Sequence, residues 1–151
     1  MSKASDNSHK TAIARKKLSS ACQYLVDTAA LKGRCLDFGC GRGFDCDALE
    51  IEGFDPHYRN KPLLHTKYDT IMCNFVLNVL TEDLWEGVIE EIRSLLKKSG
   101  KAYIAVRNDK KNLKGYTSKG TYQTVVELDL PVIKKTSNFV MYLVRPTDIV
   151  Q

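Results

Sequence analysis

The stretch Arg34-Cys35-Leu36-Asp37-Phe38-Gly39-Cys40-Gly41-Arg42-Gly43 decides the fold. Its first half, Arg34 to Phe38, is a short apolar run that suits a buried strand, and three glycines at alternate positions follow without a spacer. Glycines lack Cβ, so the backbone can turn sharply and come close to a ligand, and the helix start that follows offers N–H donors. Phe44 to Glu50 has room for only a turn or two of helix. Ile51 to Phe54 then makes a second strand, closed by Asp55 and Pro56.

Upstream, Leu18, Ala21, Cys22, Leu25, Val26 and Ala29 recur at helical spacing, and Gly33 is the expected terminator. Downstream, Thr70 to Asn74 (TIMCN) is β-branched and apolar and reads as a central strand, reached through the irregular stretch His57 to Tyr68. Thr81 is the expected N-cap of a helix whose buried face is Leu84, Trp85, Val88, Ile89, Ile92, Leu95 and Leu96, with Lys97, Lys98 and Gly100 ending it. Lys101 to Val106 is a strand, 107–120 a basic loop, and Tyr122 to Leu128 and Phe139 to Val144 a terminal antiparallel pair with Pro131 between them. The alternation predicts an α/β domain over residues 11–151, behind a flexible polar N-terminus at 1–10. Ligands of such sheets bind outside the carboxyl ends of the strands, where the glycine turn sits.

Asp55 follows Gly39 by 16 residues and ends the second strand, where a carboxylate can accept hydrogen bonds from both hydroxyls of a ribose. Glycine turn and acid together describe a nucleoside cofactor. The dinucleotide fingerprint G-x-G-x-x-G would need glycine at position 44, and the chain has Phe44. The order G-x-G-x-G instead resembles motif I of class I S-adenosylmethionine (SAM)-dependent methyltransferases. The resemblance extends over LDFGCGRG (36–43), GFDPHY (53–58), YDTIMCNFVLNVL (68–80) and SGKAYIAVR (99–107). TAIARKKLS (11–19), GFDPHY and VLNVL (76–80) are also similar to small bacterial and phage methyltransferase-like proteins of the kind associated with DNA phosphorothioation genes.

The resemblance implies a Rossmann-like class I methyltransferase fold, a mainly parallel sheet with a terminal antiparallel strand pair, reduced between strands two and four. It implies SAM as cofactor. Gly39, Cys40, Gly41 and Gly43 would line its methionine and ribose side, Asp37 would fix the loop and reach the amino group, and Asp55 would hold the ribose. Pro56 and His57 would lie beside the adenine, and Asn74 would face the methyl group and the acceptor as the candidate catalytic residue. The span from Asp55 to Asp69 is too short for the usual helix, strand and third-motif acid, so it assigns no adenine-amino partner. Asn74-Phe75-Val76-Leu77 lacks the Pro-Pro-aromatic step of enzymes that methylate exocyclic amines of nucleobases.

The chain of 151 residues fits one domain, carries no apolar run long enough to span a bilayer and starts polar, which points to a cytoplasmic protein. Its five cysteines lack metal-ligand spacing and paired histidines, so reduced thiols are expected and no zinc site. Net charge is +5 and uneven. Lys3, Lys10, Arg15, Lys16 and Lys17 oppose only Asp6 in the first twenty residues, and Arg107, Lys110, Lys111, Lys114 and Lys119 oppose only Asp109 in the loop. Such patches either steer a polyanion such as nucleic acid or are simply solvated surface. Two functions therefore compete: methyl transfer to an acceptor that includes nucleic acid among its candidates, and a degenerate SAM-binding or nucleic-acid-binding module without turnover.

Overall fold

The computed structural model describes residues 16–63, 67–109, 114–116 and 122–146; the N-terminus expected to be flexible and most of the basic loop lie outside the described residues. In chain order the elements are α1 (Ser20–Asp27), β1 (Cys35–Phe38), α2 (Phe44–Leu49), β2 (Glu52–Phe54), β3 (Tyr68–Asn74), α3 (Trp85–Leu95), β4 (Leu96–Arg107), β5 (Lys114–Tyr116), β6 (Tyr122–Thr124), β7 (Val132–Lys135) and β8 (Phe139–Val144). Six strands make one sheet in the order β2-β1-β3-β4-β8-β7, and β5 and β6 form a separate antiparallel pair. The first four are mutually parallel, and β8 runs antiparallel to both β4 and β7. β2 is an outermost strand, so the sheet is reduced where the short Asp55 to Asp69 span predicts it.

Side chains of the central strands alternate between two apolar layers. Ile71, Cys73, Ala102, Ile104, Val106, Tyr142 and Val144 pack with the buried face of α3. Met72, Tyr103, Ala105, Phe139 and Met141 face α1 through Ala21, Cys22 and Leu25. Both faces of β3 and β4 are thus covered, which is why these strands read as apolar runs and not as alternating ones. No described helix is long and apolar enough to cross a membrane.

Four boundaries differ from the sequence expectation. The terminal antiparallel pair is β7 with β8, and Tyr122–Thr124 pairs with β5 instead. β7 is an exposed edge strand whose Lys134 and Lys135 disguise it, since charges on an edge guard against unwanted pairing. α3 begins at Trp85 after a 3-10 turn, Glu82–Leu84, and Thr81 offers it no side-chain cap. That helix ends at Leu95, and Lys97 to Gly100 bulge from β4, between the pairs Tyr68 with Leu96 and Thr70 with Lys101. A Cβ on Gly100 would lie 3.0 Å from the carbonyl oxygens of Lys97 and Tyr68, so this glycine closes a bulge and not a helix.

α1 stops at Thr28, well before Gly33. The N–H of Ala30 donates to Leu25 O at 2.9 Å and that of Ala29 to Val26 O at 3.0 Å, the paired bonds of a Schellman termination. This motif places Ala29 at φ 55°, the left-handed region that costs a residue with a Cβ about 1 kcal/mol. Gly33 serves elsewhere: its φ is +67° and a Cβ there would fall 2.3 Å from Asp69 Oδ2, the oxygen that accepts the Arg34 N–H. Ala29→Gly is therefore expected to stabilise the protein by roughly 0.5–1 kcal/mol, read as a higher urea midpoint at unchanged slope. A lower midpoint would mean that Ala29 is not strained.

Candidate cofactor-binding site

The parallel strands reverse their order about β1, with β2 on one side and β3 on the other, so the carboxyl ends of β1 and β3 flank the crevice where ligands of open α/β sheets bind. The glycine turn fills one wall. Gly39, Gly41 and Gly43 have φ of 83°, 58° and 91°, so each of the three alternate glycines adopts backbone that a Cβ would strain. The N–H groups of Gly39 and Cys40 both donate to Phe54 O, at 2.7 and 2.9 Å, and that of Gly43 donates to Cys40 O at 3.0 Å. The turn is thus preformed by its own bonds, and its first donors are engaged within the protein, whereas the sequence suggested donors open to a ligand.

Asp55 ties this turn to the end of β2. Its Oδ2 accepts the Gly41 N–H at 3.0 Å, and its Oδ1 accepts those of His57 and Tyr58 at 2.9 and 3.0 Å. A carboxylate offers about four lone-pair positions. Three are taken here by backbone N–H groups, and one acceptor position, on Oδ2, is left over. Pro56 and His57 are exposed beside it. The His57 ring stands edge-on to Tyr58 with centroids 4.6 Å apart, and the Arg42 guanidinium lies 5.4 Å from the Tyr58 centroid.

The opposite wall is the end of β3. Asn74 is its last residue, and both polar atoms of its side-chain amide are buried without a protein partner. A buried unpaired amide costs roughly 1–3 kcal/mol, so Asn74 carries hydrogen-bonding capacity at the end of β3 that no described residue uses. Phe75 follows at φ 62°, a left-handed corner held by its N–H to Ala105 O at 2.8 Å. The Trp85 indole N–H is shared between Leu77 O and Leu80 O, each at 3.0 Å, and fixes the 3-10 turn Leu77–Val79 beneath that corner. Asp37 is buried on β1, two residues before the glycine turn.

Other residues quoted in the sequence motifs have structural duties. Asn78 is buried, its amide donating to Gln123 Oε1 at 3.2 Å and accepting the Arg107 N–H at 3.4 Å, so it joins β6 to the end of β4. Cys73 is fully buried and desolvation raises its pKa, which makes it a core thiol and not a nucleophile. Sequence reasoning missed Val76 and Arg59. A Cβ on Gly39 would lie 2.4 Å from Val76 Cγ2, and one on Gly43 would lie 2.2 Å from Arg59 Nη2. Arg59 is held there by a bidentate pair with Asp47 at 2.7 and 2.6 Å and by Arg42 O at 3.1 Å, and these bonds keep its pKa high. Glycine at 39 is thus favoured by packing as well as by backbone angle, and at 43 by backbone angle, since the Arg59 guanidinium can swing aside.

With this geometry established, comparison with known proteins gives the class. The chain belongs to the methyltransferase-domain family, whose model matches residues 11–124. In fold it is similar to DhpI bound to S-adenosylhomocysteine, with 14% identity over 86% of this chain and 89% of that one and a TM-score of 0.55. It is likewise similar to 1,6-didemethyltoxoflavin-N1-methyltransferase of Burkholderia thailandensis, with 17% identity, 85% and 77% coverage and a TM-score of 0.59. A TehB-like SAM-dependent methyltransferase of Corynebacterium glutamicum gives 20% identity, 82% and 86% coverage and 0.53. No curated protein matches the chain by sequence. The expected Rossmann-like methyltransferase fold is the observed one, and the expected cofactor is the one such neighbours hold as donor or demethylated product.

The contact between Gly39 and Val76 can be tested as a pair. Gly39→Ala should cost about 1–3 kcal/mol through overpacking and backbone strain together, and Val76→Ala should relieve the overpacking part. Urea unfolding of the two single variants and the double variant would show this as a coupling energy; simple additivity would contradict the contact.

Proposed function

We propose that the chain is a SAM-dependent methyltransferase whose cofactor lies across the glycine turn, between Asp55 and Asn74. The observation that carries this reading is the orphaned Asn74 amide, buried across the crevice mouth from a left-handed glycine turn that is already anchored. Asp55 Oδ2 holds one ribose hydroxyl, and Gly39, Cys40, Gly41 and Gly43 present bare backbone to the ribose and methionine portions. Asp37 keeps the turn seated and receives the amino group. Pro56, His57 and the Tyr58 ring provide a shelf for the adenine. Asn74 turns its amide to the reacting end.

When bound, SAM supplies a methyl group already activated on a sulfonium. The work left to the protein is positioning and exclusion of water, which suits a crevice bounded by the glycine turn, Asp55 and Asn74. Asn74 orients the acceptor and the donor; it need not move a proton.

For the acceptor, the observations favour a polyanion. The basic loop Arg107 to Lys119 is rooted beside the site, because Asn78 ties both the Arg107 N–H and Gln123 to the turn that follows Asn74. Arg107 itself pairs with Asp109 at 2.7 Å, and the other cations of this stretch are Lys110, Lys111, Lys114 and Lys119. The narrower likeness to proteins associated with DNA phosphorothioation genes points to nucleic acid as well. Phosphate contacts release counterions, so anisotropy with labelled DNA and RNA should show affinity falling steeply with salt. The slope should shrink when Lys110, Lys111 and Lys114 are replaced together. Absence of binding at low salt would return the acceptor to small molecules or protein.

Calorimetric titration with SAM and S-adenosylhomocysteine tests the cofactor reading. Asp55→Ala removes a charge-assisted acceptor and the anchor of Gly41, and should weaken binding by about 1.5–3 kcal/mol, roughly tenfold to a hundredfold. Unchanged affinity in that variant would overturn the role of Asp55. SAM binding without methylation of any nucleic acid or extract fraction would favour a module without turnover.

A further inference from the structure

The cofactor turn carries a thiol that meets a second one from α2. Cys40 stands between Gly39 and Gly41 and is partly exposed; Cys46 lies in the first turn and a half of α2 and is fully buried. Both sulfurs converge over Gly53 of β2, where a Cβ would lie 2.5 Å from Cys46 Sγ and 3.0 Å from Cys40 Sγ. Glycine at 53 keeps the space between the two thiols open. Cys46 Sγ donates to Gly43 O at 3.3 Å and Cys40 Sγ to Gly41 O at 3.6 Å, so both thiols are seated on carbonyls of the same turn. The other three cysteines, Cys22, Cys35 and Cys73, are buried in other parts of the fold.

We infer that Cys40 and Cys46 form a reversible disulfide when the protein meets a hydroperoxide, and that this bond switches off the cofactor turn. The second half of the inference rests on the cofactor reading above. Local chemistry favours a reactive pair. The adjoining Cys40 thiol and the Arg59 guanidinium, 3.8 Å from Cys46 Sγ, draw the Cys46 pKa down to about 7, while Cys40 is pushed up as the partner that keeps the proton. Cys46 is therefore the more readily ionised of the two thiols, and the partly exposed Cys40 is the sulfur a small oxidant can reach.

The reaction balances. As Cys40 attacks a peroxide oxygen, its proton passes to the Cys46 thiolate and the O–O bond breaks; the departing hydroxide takes that proton and leaves as water, which restores the Cys46 thiolate. Cys46 thiolate then attacks the Cys40 sulfenic acid, the S–S bond forms as the S–O bond breaks, and the second hydroxide takes a solvent proton. Two thiol sulfurs are oxidised by two electrons in all, and one peroxide is reduced to two waters. A disulfide demands Cβ atoms about 3.5–4.5 Å apart and a dihedral near a right angle. Meeting that demand draws Cys40 toward α2 and pulls Gly41 from Asp55, which removes a hydrogen bond that shapes the ribose site.

The test is a hydrogen peroxide titration of the full chain, read by non-reducing peptide mapping and by calorimetry with SAM. The expected result is a Cys40–Cys46 disulfide that appears before Cys22, Cys35 or Cys73 reacts, is undone by dithiothreitol and is absent in Cys46→Ser. SAM affinity should fall about tenfold on oxidation, the scale of one such hydrogen bond, and recover on reduction. In Cys46→Ser, peroxide should produce no disulfide-linked peptide. Oxidation of Cys40 to sulfinic acid without a disulfide, or a mapped disulfide with unchanged SAM affinity, would overturn the inference. If reduced protein binds no SAM at all, the cofactor reading has failed, and peptide mapping still decides the thiol pair.

Discussion

The carboxylate of Asp55 is the constraint on which the site depends. It joins two segments that would otherwise be independent loops, since one oxygen accepts from Gly41 in the turn after β1 and the other from His57 and Tyr58 after β2. A half-buried anion surrounded by backbone N–H groups is held strongly, because each bond is charge-assisted. The glycine turn consequently has one shape before any ligand arrives, and a ligand need not supply the ordering cost.

Packing around that anchor is tight on both sides of the turn. Val76 from the far wall and Arg59 from the near one occupy the volumes that Cβ atoms on Gly39 and Gly43 would need. The two walls of the crevice therefore touch through Gly39, and the position of the β3 corner registers directly on the glycine turn. Trp85 sets that corner through Leu77 and Leu80, and α3 carries Trp85 into the core. On the other side, Ser19 caps α1 and bonds the buried Asp45 of α2 through its N–H at 3.1 Å and its hydroxyl at 2.8 Å. Helices on both faces of the sheet are thereby coupled to one turn.

Much of this was legible in the sequence, for identifiable reasons. β1, α2, β2 and β3 were readable because apolar runs and glycines at alternate positions report local backbone preference directly. The reduced sheet followed from counting residues between Asp55 and Asp69. What failed was whatever a partner far along the chain decides. Gly33 read as a helix terminator because Asp69, which fills the space beside it, is invisible in a local window. Lys97 to Gly100 read as a helix end because the bulge exists only against Tyr68. β7 was hidden by the lysines that protect an edge strand. Asp55 stood out as an acid at the end of β2, but its share in building the turn did not, since a sequence shows an acid and not which donors surround it; Val76 and Arg59 gave no motif at all.

The central claim is that the turn anchored by Asp55 is the cofactor site. Its most direct test is amide NMR of the isotopically labelled chain titrated with SAM. The account predicts the largest shifts at Gly39, Cys40, Gly41, Gly43 and the Asn74 side-chain amide, because these line the crevice between β1 and β3. Shifts confined instead to the cavity of about 500 Å³ at the other end of the sheet, lined by Thr28, Lys32, Asp69, Thr70, Lys101 and Tyr103, would contradict it.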